Sequence, residues 1–244
     1  MADRRLRVCA LYPELMNIYA DRGNLLLLER RCGWRGIGFE VRSSDLGQPL
    51  DPDAADLFYI GGGQDRDQKR CAYDLVEFKA AGLRAAAQRG AVILAVCGGY
   101  QLLGHSYELP GETLPGLGLI DATTVREEGP RLIGNVAIEV ELRPGEPQVV
   151  AGFENHGGRT YVGAGSRPLG RVLKGHGNNG KDGHEGVRNG SVIGTYLHGP
   201  LLPKNAWLAD WLIETALELD QPLARLDDRL EVAAHADARR AAGV

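Results

Sequence analysis

Six consecutive apolar residues, Ala91-Val92-Ile93-Leu94-Ala95-Val96, run without a polar break into Cys97-Gly98-Gly99. A run this short and β-branched, entered from Gly90, suits a strand covered on both faces rather than a helix. Such strands belong to parallel sheets with helices on either side. The preceding blocks agree. Residues 6–12 read as a strand and 24–31 as a helix entered through Asp21 and Gly23. Residues 39–42 and 56–60 read as two further strands, the latter running into Gly61-Gly62-Gly63. A helix is expected over about 73–89, with Leu75, Val76, Phe78, Leu83 and Ala86 on its apolar side. This βαβα order predicts an α/β chain with a doubly wound, mostly parallel sheet.

The second half carries a different signal. Residues 117–125, 135–142, 149–153 and 192–197 are short strand candidates broken by Gly and Pro, which predicts antiparallel β additions. Helical spacing returns at 205–219, where Trp207, Leu208, Trp211, Leu212 and Ala216 share one stripe expected to face the core. The tail from 227 to 240 reads as a surface helix. With 244 residues, no internal repeat and no Pro/Ser linker, one domain spanning 1–244 is expected, its core at about 6–220 and a tail over 221–244.

Composition narrows the function classes. The chain has 43% hydrophobic and 25% charged residues and a net charge of −4, which excludes a disordered chain and argues against nucleic acid as a partner. No apolar run reaches the roughly 18 residues of a membrane span, and the apolar stretch after Met1-Ala2-Asp3 is too short for a secretory leader. Cys9, Cys32, Cys71 and Cys97 are widely spaced, so neither a disulfide framework nor a metal site is expected. Reduced thiols in a cytoplasmic protein are the reading.

Gly175-His176-Gly177-Asn178-Asn179-Gly180-Lys181 matches the glycine and lysine spacing of a phosphate-binding loop, but Asp182 stands where Ser or Thr should hold magnesium. Gly183, Gly186 and Gly190 oppose the helix whose N-terminus would cradle the anion. A Gly-rich loop without nucleotide is expected, so any ATP used with this chain binds another one.

Cys97 is the candidate nucleophile. It ends a buried strand at an elbow, where open α/β sheets hold ligands, and faces the next helix's N-terminus, which favours a thiolate. His198 ends the strand candidate at 192–197; if that strand joins the same sheet, its imidazole reaches the same edge. A Cys–His pair of this kind generates a nucleophile and later protonates a leaving amine. His156, in Gly152-Phe153-Glu154-Asn155-His156-Gly157-Gly158-Arg159, is the rival base. Attack on a carboxamide creates an oxyanion, for which the Gly98 N–H and one from Gly61–Gly63, with Gly62 chosen, are the candidate donors. Arg131 sits between turn residues and a strand, where a guanidinium can clamp a carboxylate.

These residues resemble a family. Cys97-Gly98-Gly99-Tyr100-Gln101, Gly61-Gly62-Gly63-Gln64-Asp65 and Tyr196-Leu197-His198-Gly199 together look like class I glutamine amidotransferases of the cobyric acid synthase branch. The runs 11–24, 152–161 and 194–200 narrow the resemblance to the glutaminase subunits of lipid II isoglutaminyl synthases, and it covers residues 6 to about 220. The resemblance implies a flavodoxin-like fold, Cys97 as nucleophile, His198 as base, and Arg131 and Gln101 as contacts to L-glutamine. It implies ammonia release through a γ-glutamyl thioester. The ammonia would go to a MurT-like, Mur-ligase-family partner that uses ATP and Mg to activate the α-carboxyl of D-glutamate in lipid II, a step in cell-wall synthesis. No cofactor is implied in this chain. Members of the wider family carry a Glu two residues after the base; Pro200 occupies that position, so only a dyad is expected. Competing readings are corrinoid amidation, a cysteine hydrolase on a similar fold, and a silent scaffold that regulates a ligase.

Overall fold

The computed structural model describes residues 4–18 and 22–244, so the expected helix entry at Asp21 and the first three residues lie outside the described part. The first half builds β1 (Arg5–Leu11), α1 (Arg22–Gly33), β2 (Gly38–Ser44), β3 (Leu57–Ile60), α2 (Asp65–Asp74), a π-helical turn (Leu75–Lys79), α3 (Ala80–Gln88), β4 (Val92–Val96) and α4 (Gly98–Leu103). The second half adds β5 (Ser106–Leu109), β6 (Glu112–Pro115), β7 (Ala122–Arg126), β8 (Leu132–Arg143), β9 (Glu146–His156), β10 (Gly158–Val162), β11 (Gly170–Lys174), β12 (His184–Glu185), β13 (Val187–Asn189) and β14 (Val192–Thr195). It closes with α5 (Leu201–Lys204), α6 (Ala206–Ala216) and α7 (Arg229–Ala242).

The central sheet has the order β13-β14-β4-β3-β1-β2, parallel except where β13 joins β14. Every residue of β4 and of β3 is buried, as a strand covered on both faces requires. Helices α1, α5 and α6 pack on one another, whereas α2 packs on α4. Two four-stranded sheets, β10-β7-β5-β6 and β12-β11-β8-β9, carry the predicted antiparallel additions. The long β8–β9 hairpin supplies Val136, Ile138, Val140 and Val150 to the same core cluster that contains β4 and α6.

Three readings of the sequence change. The helix expected from residue 73 begins at Asp65, because Asp65 and Asp67 in its first turn favour a helix N-terminus that the polar sequence concealed. Its course also contains the π turn over Leu75–Lys79, which shifts the register by about one residue. Val76 and Phe78, expected in the apolar stripe, are therefore exposed, while Leu83 and Ala86 remain buried. The same turn directs Lys79 inward, where its ammonium donates to Asp45 O, Gln48 O and Asp74 and sits over the Tyr12 ring. Finally, residues 106–109, 112–115 and 170–174 form strands the sequence reading passed over. Leu208, Trp211 and Leu212 are buried as their spacing predicted.

The C-terminal residues are tied to the first helix. Arg31, fully buried, pairs with Asp210 of α6 at 2.5 Å and Asp228 at 2.8 Å. Arg35 adds a pair to Asp210 at 2.8 Å and donates to Ala224 O at 2.7 Å.

Candidate active site

The strands before Cys97 and His198 are neighbours, as a site shared by the two side chains requires. β14 pairs in parallel with β4, with Thr195 opposite Val96, so both chains leave the sheet at its carboxyl edge. β3 flanks β4 on the other side and delivers Gly61–Gly63 to the same edge. Cys97 is the hinge of a tight elbow: its φ of 52° and ψ of −107° lie in a region that L-residues seldom adopt, and α4 begins at the next residue. Such strain holds a side chain at the top of the sheet.

Two glycines make the elbow fit. A Cβ on Gly99 would lie 2.7 Å from Ile60 O, and the Gly99 N–H donates to Gly61 O at 3.1 Å, docking the first turn of α4 on the Gly-rich loop. A Cβ on Gly194 would meet the Tyr100 ring at 2.2 Å, so only glycine lets that ring lie on β14. The Gly98 N–H, at the first helical position, has no intrahelical acceptor. Gly62 takes the Ile18 N–H on its carbonyl at 3.2 Å.

His198 is bound into the β9 edge by a reciprocal backbone bridge, Phe153 N–H to His198 O at 3.1 Å and His198 N–H to Phe153 O at 2.9 Å. Its ring stands edge-on to Phe153 and is fully buried. Burial, reinforced by His156, Lys204 and Arg131, pushes its pKa down to about 4. The imidazole is therefore neutral at pH 7, the form that accepts a thiol proton.

His156 lies in the same cluster, buried, with Nδ1 2.8 Å from Gly158 O and its ring stacked on Tyr196 at 3.5 Å. Arg131 acts electrostatically on His198 and Tyr107, and Cys97 on Tyr107 and Tyr196, as groups gathered at one edge of the sheet would. Arg131 stands at its rim, exposed, with Nε donating to Asn155 Oδ1 and Nη2 to Asn155 O, both at 2.8 Å. That grip fixes the guanidinium plane beside Gly157. Gln101 is turned inward and buried, with Oε1 accepting from Gln68 Nε2 at 2.7 Å and Nε2 donating to Tyr196 Oη at 3.1 Å. A separate cavity of about 310 Å³ opens at the carboxyl ends of β1, β2 and β3, but Cys97, His198 and Arg131 do not line it.

Pro200, two residues after His198, precedes α5 and offers no carboxylate. The two fully buried carboxylates nearby accept from backbone N–H groups, and they also meet side chains: Glu154 lies 3.9 Å from His156 Nε2, and Glu185 accepts from Thr195 Oγ1 at 3.0 Å. Glu154 accepts from His176 N at 2.7 Å and Gly177 N at 2.9 Å, and Glu185 accepts from Tyr196 N at 2.6 Å. Burial pushes Glu185 up to about 8 despite these donors. The Gly-rich run 175–186 is wrapped around this pair. Its amides at Lys181 and Asp182 cap Asn179 Oδ1, and the Lys181 ammonium pairs with Glu127 at 2.6 Å. The lysine of the apparent phosphate motif is thus engaged at the surface. Sequence reasoning gave no role to Gln68, Tyr107, Glu154 or Glu185, polar residues whose burial leaves no periodic trace.

The other thiols are chemically quiet. Burial pushes Cys9 up to about 11 and Cys32 and Cys71 up to about 12. Iodoacetamide at pH 7.5, followed by peptide mass mapping, is expected to modify Cys97 alone; equal labelling of Cys71 would refute its special reactivity.

Residues 7–206 match the CobB/CobQ-like glutamine amidotransferase domain. The chain belongs to that family. It is a glutamine amidotransferase, an enzyme that hydrolyses glutamine. Among its relatives, the glutamine-hydrolysing subunit GatD of lipid II isoglutaminyl synthase from Staphylococcus aureus is 41% identical over 87% of this chain and 85% of its own. The counterpart from Streptococcus pneumoniae is 39% identical over 88% and 81%. A cobyric acid synthase from Pelotomaculum thermopropionicum is 34% identical over 81% of this chain but only 38% of its own. The fold is shared with PurLQS from Thermotoga maritima, with a TM-score of 0.59 at 22% identity over 87% of this chain and 95% of that one. A glutamine amidotransferase of the same organism gives 0.52 at 16% identity over 98% and 94%.

Proposed function

We propose that this chain is the glutaminase subunit of a lipid II isoglutaminyl synthase. The observation that carries this reading is the two-sided coverage of the Staphylococcus and Streptococcus subunits, against 38% of the cobyric acid synthase. Corrinoid amidation is the less supported alternative.

In this reading the Cys97 sulfur attacks the side-chain carboxamide carbon of L-glutamine, whose α-carboxylate Arg131 clamps. The carbonyl oxygen becomes an oxyanion held by the Gly98 and Gly62 N–H groups, while His198 takes the thiol proton and passes it to the departing nitrogen. Ammonia leaves as the C–N bond breaks and a γ-glutamyl thioester remains. His198 then draws a proton from water, which attacks the thioester, releases glutamate and restores the thiol. Gln101 contributes to the substrate contact. No metal or nucleotide enters these steps.

The ammonia passes to a MurT-like, Mur-ligase-family subunit that holds ATP and Mg, contacts lipid II and amidates its D-glutamate α-carboxyl to D-isoglutamine. The pair works as a heterodimer in the cytoplasm. Among the described residues no helix is long and apolar enough to cross a membrane.

The test is reconstitution with such a ligase subunit. Glutamine and ATP should amidate lipid II, and a Cys97→Ala complex should do so only from added ammonium salt. Failure of the two chains to associate, with amidation of a corrin carboxylate instead, would refute the assignment. Arg131→Ala should raise the KM for glutamine at least about tenfold, as expected for a lost charge-assisted contact; an unchanged KM would remove it from the substrate site.

A further inference from the structure

We infer that Tyr196 is a positioning residue for glutamine recognition: its hydroxyl holds in place the Gln101 carboxamide that Gln68 orients. This rests on the reading above, in which Cys97 is the nucleophile and Gln101 meets the substrate.

Gln68 Nε2 donates to the Gly98 carbonyl at 3.1 Å, and a carbonyl can only accept, so the amide orientation of Gln68 is determined. The same Nε2 donates to Gln101 Oε1 at 2.7 Å, which places Gln101 Nε2 on the opposite side, toward Tyr196 Oη at 3.1 Å. Having accepted that proton, Tyr196 directs its own at Thr160 Oγ1, 2.6 Å away, and Thr160 continues to Thr124 Oγ1 at 2.8 Å. The buried chain from Gly98 to Thr124 has one polarity, and Tyr196 is its centre. Burial pushes the Tyr196 phenol well above its ordinary value, so the proton this requires stays in place.

The ring is held as firmly as the hydroxyl. Tyr196 is fully buried, stacked on His156 at 3.5 Å and edge-on to Tyr100 at 5.0 Å, and its N–H is tied to Glu185. It lies two residues before His198 and joins the base's segment to α4, which starts beside the nucleophile. The amide it holds packs on the glycine pair beside Arg131: a Cβ on Gly158 would lie 2.6 Å from Gln101 Nε2, and one on Gly157 would lie 3.3 Å from Arg131 Nη1. The second Nε2 hydrogen of Gln101 and the guanidinium of Arg131 thus meet the same pair of glycines.

The experiment measures glutaminase kinetics of the full chain with its partner subunit. Tyr196→Phe keeps the ring and removes the hydroxyl; KM for glutamine should rise about tenfold with kcat reduced less than about threefold, the scale of one neutral hydrogen bond. In a Gln101→Ala background the same change should add nothing, because the hydroxyl acts through that amide. Thr160→Val, which removes the acceptor of the tyrosine proton, should raise KM in the same direction should Tyr196→Phe fail to fold. An unchanged KM in these variants, or additive effects with Gln101→Ala, overturns the proposal. Capture of Cys97 by a diazo-ketone analogue of glutamine separates the two failures. Labelled Cys97 with an unchanged KM defeats only the role of Tyr196; unlabelled Cys97 with Cys97→Ala still releasing ammonia defeats both.

Discussion

Replacing Cys97 with alanine is expected to cut glutamine hydrolysis at least about a thousandfold while leaving the chain folded. The residue directly follows the buried β4 run, and its sulfur is the only heavy atom the substitution removes. Alanine keeps the Cβ at the strained φ of 52°, so the elbow retains its shape and its close docking on the Gly61 carbonyl. The loss of activity then belongs to the sulfur and not to a collapsed site. Ammonia release and thermal unfolding, measured on the same preparation, check both halves. Turnover within a few-fold of the parent would remove Cys97 from the chemistry.

His198→Ala should cost on the order of 10²–10⁴ in rate, the range for loss of a positioned general base, and His156→Ala distinctly less. If the His156 variant alone is inactive, the roles are reversed. The pH dependence carries its own signature. With the buried imidazole pushed down to about 4, the neutral base persists well below pH 6.5, and the acid limb of kcat/KM should fall near pH 4. Stability moves the same way. Between about pH 6.5 and 4 the unfolded chain binds a proton at this position that the folded chain refuses, so stability declines on acidification through that window. The upper limit is roughly 3 kcal/mol at 1.36 kcal/mol per pKa unit. Urea unfolding at pH 7 and pH 5 should show a smaller difference in His198→Ala than in the parent; an equal difference would place the titration elsewhere.

What the sequence disclosed follows from where side chains point. The parallel strands were legible because both faces are covered, so every residue of β3 and β4 and of β1 from Val8 onward is apolar and no alternation has to be guessed. Cys97 and His198 were legible because each interrupts such a run at its end. The hairpin β5–β6 and the short strand β11 were not, since Ser106, Glu112, Arg171 and Lys174 show water on one side and read as loop. Helix α2 escaped because its first six residues are all charged or amide, and the π turn then rotated Val76 and Phe78 outward against a regular 3.6-residue expectation. The polar interior of the site was hardest to foresee. Gln68, Glu154, Glu185 and Asn178 look like surface residues, and only the three-dimensional closure of the Gly-rich run shows that they are satisfied inside.

The Arg31 clasp makes the last two dozen residues a counter-ion as well as a segment of chain. Asp228 neutralises part of a guanidinium that cannot reach water, and Asp210 alone, already shared with Arg35, would have to serve two cations once it is gone. Clipping the polypeptide after Leu219 should therefore be felt in the first helix, about two hundred positions away in sequence, as a loss of stability read by thermal unfolding. A protease or a shortened variant would thus register its cut at the opposite end of the chain.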